Sequence, residues 1–191
     1  MSFSRDFPYY LVVDLEATCD DRGAVPRDDS EIIEIGAVLV EATTLRPVGE
    51  FQTFVRPIVH PRLTAFCTEL TTITQADVDP APGFAAAASR LAAFGEGALF
   101  CSWGAYDRNQ LERDARRHRV AMPLGPQHMN VKEVFARAAG DRRSTGNGRA
   151  LERLGIQRTG THHRGIDDAR NIARLLPYAL GRVPFPQEAR T

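Results

Sequence analysis

Residues 9–19, Tyr9-Tyr10-Leu11-Val12-Val13-Asp14-Leu15-Glu16-Ala17-Thr18-Cys19, decide the fold. Tyr9 to Asp14 is an aromatic and β-branched run, which predicts a buried strand. Residues two apart in a strand point to one face, so Asp14 and Glu16 stand side by side where the strand ends. Neighbouring like charges repel unless a cation neutralises them. Hard divalent ions such as Mg²⁺ take oxygen ligands and suit such a pair. The plain alternative is a strand end entering solvent, where acids are common.

Outward from this strand, Glu31 to Val40 is nearly continuously apolar toward its end, as in a central strand. Residues 19–30 between the two are charged and turn-rich, a loop. Thr43 to Pro47 reads as a turn, and Gly49 to Val55 alternates as a third strand. These three form an antiparallel meander. Residues 56–79 predict short helical turns. Pro82 to Phe94 is an Ala-rich amphipathic helix, residues 98–103 (ALFCSW) a fourth strand, and Tyr106 to Arg119 a charged helix. Helices follow at 130–139, 149–154 and 167–180, the last with Pro177 as a possible kink. A meander, a helix, a strand and then helices predict an α/β fold, a mixed sheet with helices on its faces. One domain over 1–182 and a weakly ordered tail at 183–191 are expected.

With 43% hydrophobic and 25% charged residues, the composition is that of a globular chain. The net charge of zero conceals an asymmetry. Residues 1–100 hold 7 Arg against 15 Asp and Glu, whereas residues 101–191 hold 16 Arg and 1 Lys against 9. An acidic half can collect cations and a basic half can meet phosphates, or the two halves simply attract each other. No apolar run approaches the roughly 18 residues of a membrane span, and Met1 to Asp6 lacks the core of a signal peptide. Cys19, Cys67 and Cys101 show no zinc spacing. A cytoplasmic protein without membrane partners is expected.

Two further constellations bear on chemistry. Asp107 follows the fourth strand in the first turn of a helix, where an acid also suits the helix dipole. His162-His163-Arg164-Gly165-Ile166-Asp167-Asp168 places a histidine on a loop five residues before an acid in the last helix; alone, it reads equally as a polar loop with an acidic cap. Zinc held by His162 and His163 is less well supported, because adjacent histidines seldom converge on one ion. Taken together, four carboxylates and a histidine at strand ends and helix starts match a two-metal site for phosphoryl transfer. A histidine near neutral pKa can accept the proton of the attacking water.

The order Asp-x-Glu, Asp, His-x4-Asp resembles the DEDDh group of 3′→5′ exonucleases. Within that group the chain is similar to the ERI-1/three-prime-histone-exonuclease branch. The matching segments are 9–19, EIIEIGAVLV (31–40), FVRP (54–57), LTAFCTELTTITQADVD (63–79), SWGAYD (102–107) and HHRGIDDARNIARLL (162–176). The resemblance implies an RNase H-like mixed five-stranded sheet, an antiparallel meander plus parallel strands, flanked by helices. It implies removal of nucleoside 5′-monophosphates from the 3′ ends of single-stranded RNA or DNA with two Mg²⁺ or Mn²⁺ ions. Asp14, Glu16, Asp107 and Asp168 match the metal ligands and His163 the general base.

By the same resemblance, Ala17 and Thr18 contact the terminal nucleotide. Phe66, Leu70, Thr71 and Ile73 wall its base and sugar, and Trp103 stacks near the base. Plain core packing is the alternative for Phe66, Leu70, Ile73 and Trp103. The branch usually reads Leu-Thr-Gly-Ile-Thr where this chain has Leu70-Thr71-Thr72-Ile73-Thr74. If the glycine serves close approach to the sugar, Thr72 crowds the pocket. Arg108, Arg113, Arg116, Arg117 and Arg119 on one helix, and Arg142, Arg143 and Arg149 in a Gly-containing loop, are candidate phosphate contacts, a solvated helix face with Glu112 and Asp114 as partners being an equal alternative for the first group. The second cluster is preferred because it lies nearer His163 in the chain. A dinucleotide phosphohydrolase and a non-catalytic nucleic-acid-binding module of the same fold are the competing functions.

Overall fold

The computed structural model describes residues 7–186. Five strands form one sheet: β1 (Tyr9–Ala17), β2 (Ile32–Glu41), β3 (Pro47–Phe54), β4 (Ala98–Ser102) and β5 (His128–Asn130). Their order is β3-β2-β1-β4-β5. The β1–β2 and β2–β3 pairs are antiparallel, and β1–β4 and β4–β5 are parallel. The helices are α1 (Ala65–Thr71), α2 (Gln75–Val78), α3 (Phe84–Phe94), α4 (Tyr106–Arg117), α5 (Val131–Ala138), α6 (Asn147–Arg153), α7 (Gly165–Ala173) and α8 (Leu176–Ala179). The mixed, helix-flanked sheet is the one expected from the sequence, including the fifth strand that only the resemblance implied.

Alternation along β1 builds both layers of the core. Leu11, Val13 and Leu15 pack with Phe84, Leu91 and Leu111 of α3 and α4 on one face. Tyr10 and Val12 pack with Phe135, Ala169, Ile172 and Leu176 of α5, α7 and α8 on the other. Each fully buried large apolar side chain contributes on the order of 1.5–3 kcal/mol. Asp14 and Glu16 continue the Tyr10–Val12 face, so this face turns from apolar to acidic toward the end of β1.

Gly36 in β2 lets α7 come down on this acidic end. A Cβ at Gly36 would lie 2.1 Å from the carbonyl carbon of Gly165, and one at Gly165 would lie 2.8 Å from the Asp14 carbonyl oxygen. Beneath the junction lies the fully buried Glu34, whose Oε2 accepts from Arg164 Nε and Gly165 N, each at 3.0 Å. Gln52 donates to Glu34 Oε1 at 2.6 Å. A buried acid paired to Arg164 and set at the amino end of α7 thus fixes where that helix starts.

Some elements differ from expectation. β1 runs on to Ala17, with a register shift at Glu16/Ala17. β3 starts at Pro47, which an edge strand tolerates. The single helix expected over 167–180 is two, because Pro177 falls in the first turn of α8, where its missing N–H leaves no bond unmade. Of the expected tail, Phe185 rests edge-on against Phe135, with ring centroids 5.1 Å apart; 187–191 lie outside the described residues.

Candidate active site

Three chain segments bring the acids together at the carboxyl ends of β1 and β4. The pleat of β1 sets Asp14 and Glu16 on one face. The turn after β4 starts α4 and buries Asp107, whose Oδ1 accepts from Leu15 N at 3.1 Å. The docking of α7 brings Asp168. One oxygen from each of Asp14, Glu16 and Asp168 lies within 4.8 Å of the others. Asp107 lines the same cleft but is not within that tight group. The cleft holds about 370 Å³ and also takes in Ala17, Leu70, Trp103 and His163.

The electrostatics are those of crowded, dehydrated anions. Burial first, and then the charge of Asp107, hold Asp14 well above the usual carboxylate range. Burial, with Asp168 and Glu34 nearby, pushes Glu16 up to about 8. Asp107 is raised to about 7 by burial, against the opposing pull of the Leu15 amide. Among the described residues no Arg, Lys or His forms an ion pair with Asp14, Glu16 or Asp107. All-oxygen donors, converging and without an internal counter-charge at three of the four acids, fit a hard divalent cation.

His163 stands at the cleft edge in a left-handed conformation, φ 60°. Its backbone N–H donates to Asp168 Oδ2 at 3.0 Å, and its ring stacks on that of His162, centroids 3.9 Å apart. Burial and then His162 lower its pKa, against the opposing effect of Asp168. Neutral imidazole, the form that accepts a proton, is therefore favoured near pH 7. Asp168 also pairs with Arg158, which reaches over from the loop after α6.

The expected nucleotide wall divides. Leu70, 37% exposed, and Trp103 line the cleft. Trp103 also packs on Phe135 and donates from Nε1 to Thr145 O at 3.0 Å, holding the 144–147 loop beside the acids. Three of the expected residues have side chains inside the molecule instead. Ile73 is fully buried in a small core with Ile33, Cys67 and Val78. Thr71 is fully buried, its hydroxyl donating to Cys67 O at 2.8 Å. Thr18 is buried and accepts from Glu31 N at 2.9 Å. None of these three lines the cleft: the hydroxyls of Thr18 and Thr71 are hydrogen-bonded inside the molecule, and Ile73 packs in the small core. Phe66 is half-buried and outside the cleft lining.

Thr72 closes α1 as its C-cap in the left-handed region, φ 61° and ψ 4°, and is exposed. A glycine at this position suits the helix end itself. Of the first basic cluster, Arg113 and Arg117 donate to carbonyls of Arg27, Asp28 and Ser30 and so clamp the 19–30 loop. Arg142, Arg143 and Arg149 are exposed. Cleft residues not anticipated from the sequence include Tyr106, 40% exposed, and Asn147. Tyr106 adjoins Asp107, a signal that was available; nothing in the sequence pointed to Arg158.

A mixed sheet of this order carries converging carboxylates at the ends of adjacent parallel strands that could hold a metal ion, the arrangement of a nuclease-type site. The chain belongs to the exonuclease family: its RNase T exonuclease model matches residues 11–176. The chain is 34% identical over 182 residues to ERI1 exoribonuclease 3 of Mus musculus, covering 89% of this chain and 53% of that protein. It is 32% identical to the 3′-5′ exoribonuclease 1 of the same species, covering 88% of this chain and 52% of the relative. The chain thus spans about half the length of these curated relatives. Among solved structures, the nuclease domain of 3′hExo, a DEDDh family member bound to rAMP, superposes with a TM-score of 0.85 at 29% identity, covering 97% of this chain and 99% of that one. No helix among the described residues is long and apolar enough to cross a membrane.

Proposed function

We propose that the chain is a metal-dependent 3′→5′ exonuclease that hydrolyses the last phosphodiester of RNA or single-stranded DNA and releases nucleoside 5′-monophosphates. One domain, residues 1–182, carries the activity. The observation that carries this reading is the convergence of Asp14, Glu16 and Asp168 beside the buried Asp107 in a cleft edged by a histidine. The exoribonuclease relatives favour RNA as the substrate. Free thiols at Cys19, Cys67 and Cys101 fit a reducing, cytoplasmic setting.

Two Mg²⁺ or Mn²⁺ ions held by Asp14, Glu16, Asp107 and Asp168 would supply Lewis acidity at the phosphodiester. The chain's own residues do the rest. His163, neutral near pH 7, takes the proton of the attacking water. Trp103 and Leu70 offer apolar surface to the terminal nucleotide, and stacking on an aromatic ring tolerates any base. Ala17, with the smallest side chain bearing a Cβ, leaves room beside the acids.

Digestion of 5′-labelled 20-mers of matched RNA and DNA with Mg²⁺ tests this reading. The expected result is a ladder shortened from the 3′ end, with Asp14→Ala slower by roughly a thousandfold or more. Intact substrate, or cleavage indifferent to Asp14→Ala, overturns it. Cleavage confined to dinucleotides would instead indicate a small-nucleotide phosphohydrolase, and salt-dependent binding without cleavage a non-catalytic module.

A further inference from the structure

Among the described residues, Asp168 is the one of the four acids with a cationic partner. Its Oδ1 accepts from Arg158 Nη1 and its Oδ2 from the His163 amide, so both oxygens are engaged within the protein. The pair is shielded from water, with side-chain exposures of 5% for Asp168 and 23% for Arg158. The second prong of the guanidinium, Nη2, donates to Asn147 Oδ1 at 2.7 Å. Arg158 therefore bridges α7 to the start of α6, beside the loop that Trp103 holds.

We propose that Arg158 is the internal counter-cation of Asp168 and competes with divalent metal for that carboxylate. A buried ion pair gains little net stability, because desolvation offsets attraction. Such a pair can yield to a doubly charged ion without unfolding the site. Asn147 keeps the displaced guanidinium at the edge of the cleft, in an adjoining pocket of about 420 Å³ that Arg149 and His162 also line. The arrangement neutralises Asp168 until metal arrives and sets a threshold for metal binding. This inference rests on the assignment of Asp168 as a metal ligand.

Calorimetric titration with Mn²⁺ alone, without nucleic acid, tests it by a readout separate from activity. Arg158→Gln is expected to bind Mn²⁺ about tenfold more tightly than the wild type, the equivalent of one charge-assisted hydrogen bond. Arg158→Lys keeps the charge but loses the two-pronged reach, and is expected to fall between them. Arg149→Gln removes a cation from the same pocket that has no bond to Asp168, and is expected to change affinity less than about threefold. Unchanged or weaker Mn²⁺ binding in Arg158→Gln overturns the inference, as does equal tightening in Arg149→Gln, which would indicate a general field effect. If Arg158→Gln does not fold, Arg158→Lys carries the test, and unchanged affinity there overturns it. A wild type that binds no Mn²⁺ would instead defeat the reading of the site itself.

Discussion

The acid-bearing end of β1 and the 63–74 segment both resemble the same family, yet they stand differently in the folded chain. Asp14 and Glu16 lie side by side as the strand period requires, and the docking of α7 adds Asp168. In the 63–74 segment only Leu70 reaches the cleft, while Thr71 and Ile73 turn inward. The difference lies in what dictates direction. A nine-residue strand packed on both faces leaves each side chain one orientation, whereas the seven-residue α1 is barely two turns and Ile73 lies beyond its cap, so that facing there is set by tertiary packing.

After the loss expected for Asp14→Ala, the largest effect sharpens the acidic side of that contrast. His163→Ala should lower kcat by about a hundredfold or more, and His162→Ala by far less, although both rings lie by Asp168, because His163 has the spacing to Asp168 that the family resemblance implies for the base. Single-turnover rates check this, and the reverse order would move the general base to His162. The next breaks the other side. Ile73→Ala should cost about 2–5 kcal/mol of stability in urea unfolding, whereas Leu70→Ala should leave stability nearly unchanged and raise KM. A KM effect at Ile73 without loss of stability would return that residue to the cleft wall.

A smaller effect follows from protons. Glu16 and Asp107 are raised to about 8 and about 7, mainly by burial. A raised carboxylate pKa means that the folded state binds more protons than the unfolded one, so stability is full below about pH 4, falls as pH rises from there, and levels off above the folded-state values of about 7 and 8. With a chelator present, Tm should fall between pH 6 and pH 8.5. Excess Mn²⁺ should flatten the trend, because binding to the folded state offsets the repulsion. A Tm that rises over that interval with chelator would contradict the crowding of the acids. Smallest, Thr72→Gly should add about 1 kcal/mol by relieving the left-handed cap, read as a higher urea midpoint.

Patterns carried by long elements were legible in the sequence. The alternation through residues 10–16, the near-continuous apolar run of β2 and the acids at element ends lead to the observed sheet and acid placement. Where pattern is short, it fails. β5 is three residues with one buried side chain, Met129, too few to show a period. The break between α7 and α8 hangs on where Pro177 falls within a turn. The partner of Asp168 comes from Arg158, ten residues earlier in a loop with no repeating pattern, and only the folded chain brings them into contact.

The junction of Gly36 with Gly165 has a consequence for how such a chain can change. Two positions without side chains set the height of the last long helix above the sheet, and with it the spacing of Asp168 from the β1 acids. Any residue with a Cβ at 36 would lift that helix and pull the cluster apart while every acid was still present in the sequence. An inventory of chemical groups would record such a variant as complete; the defect would lie in clearance alone.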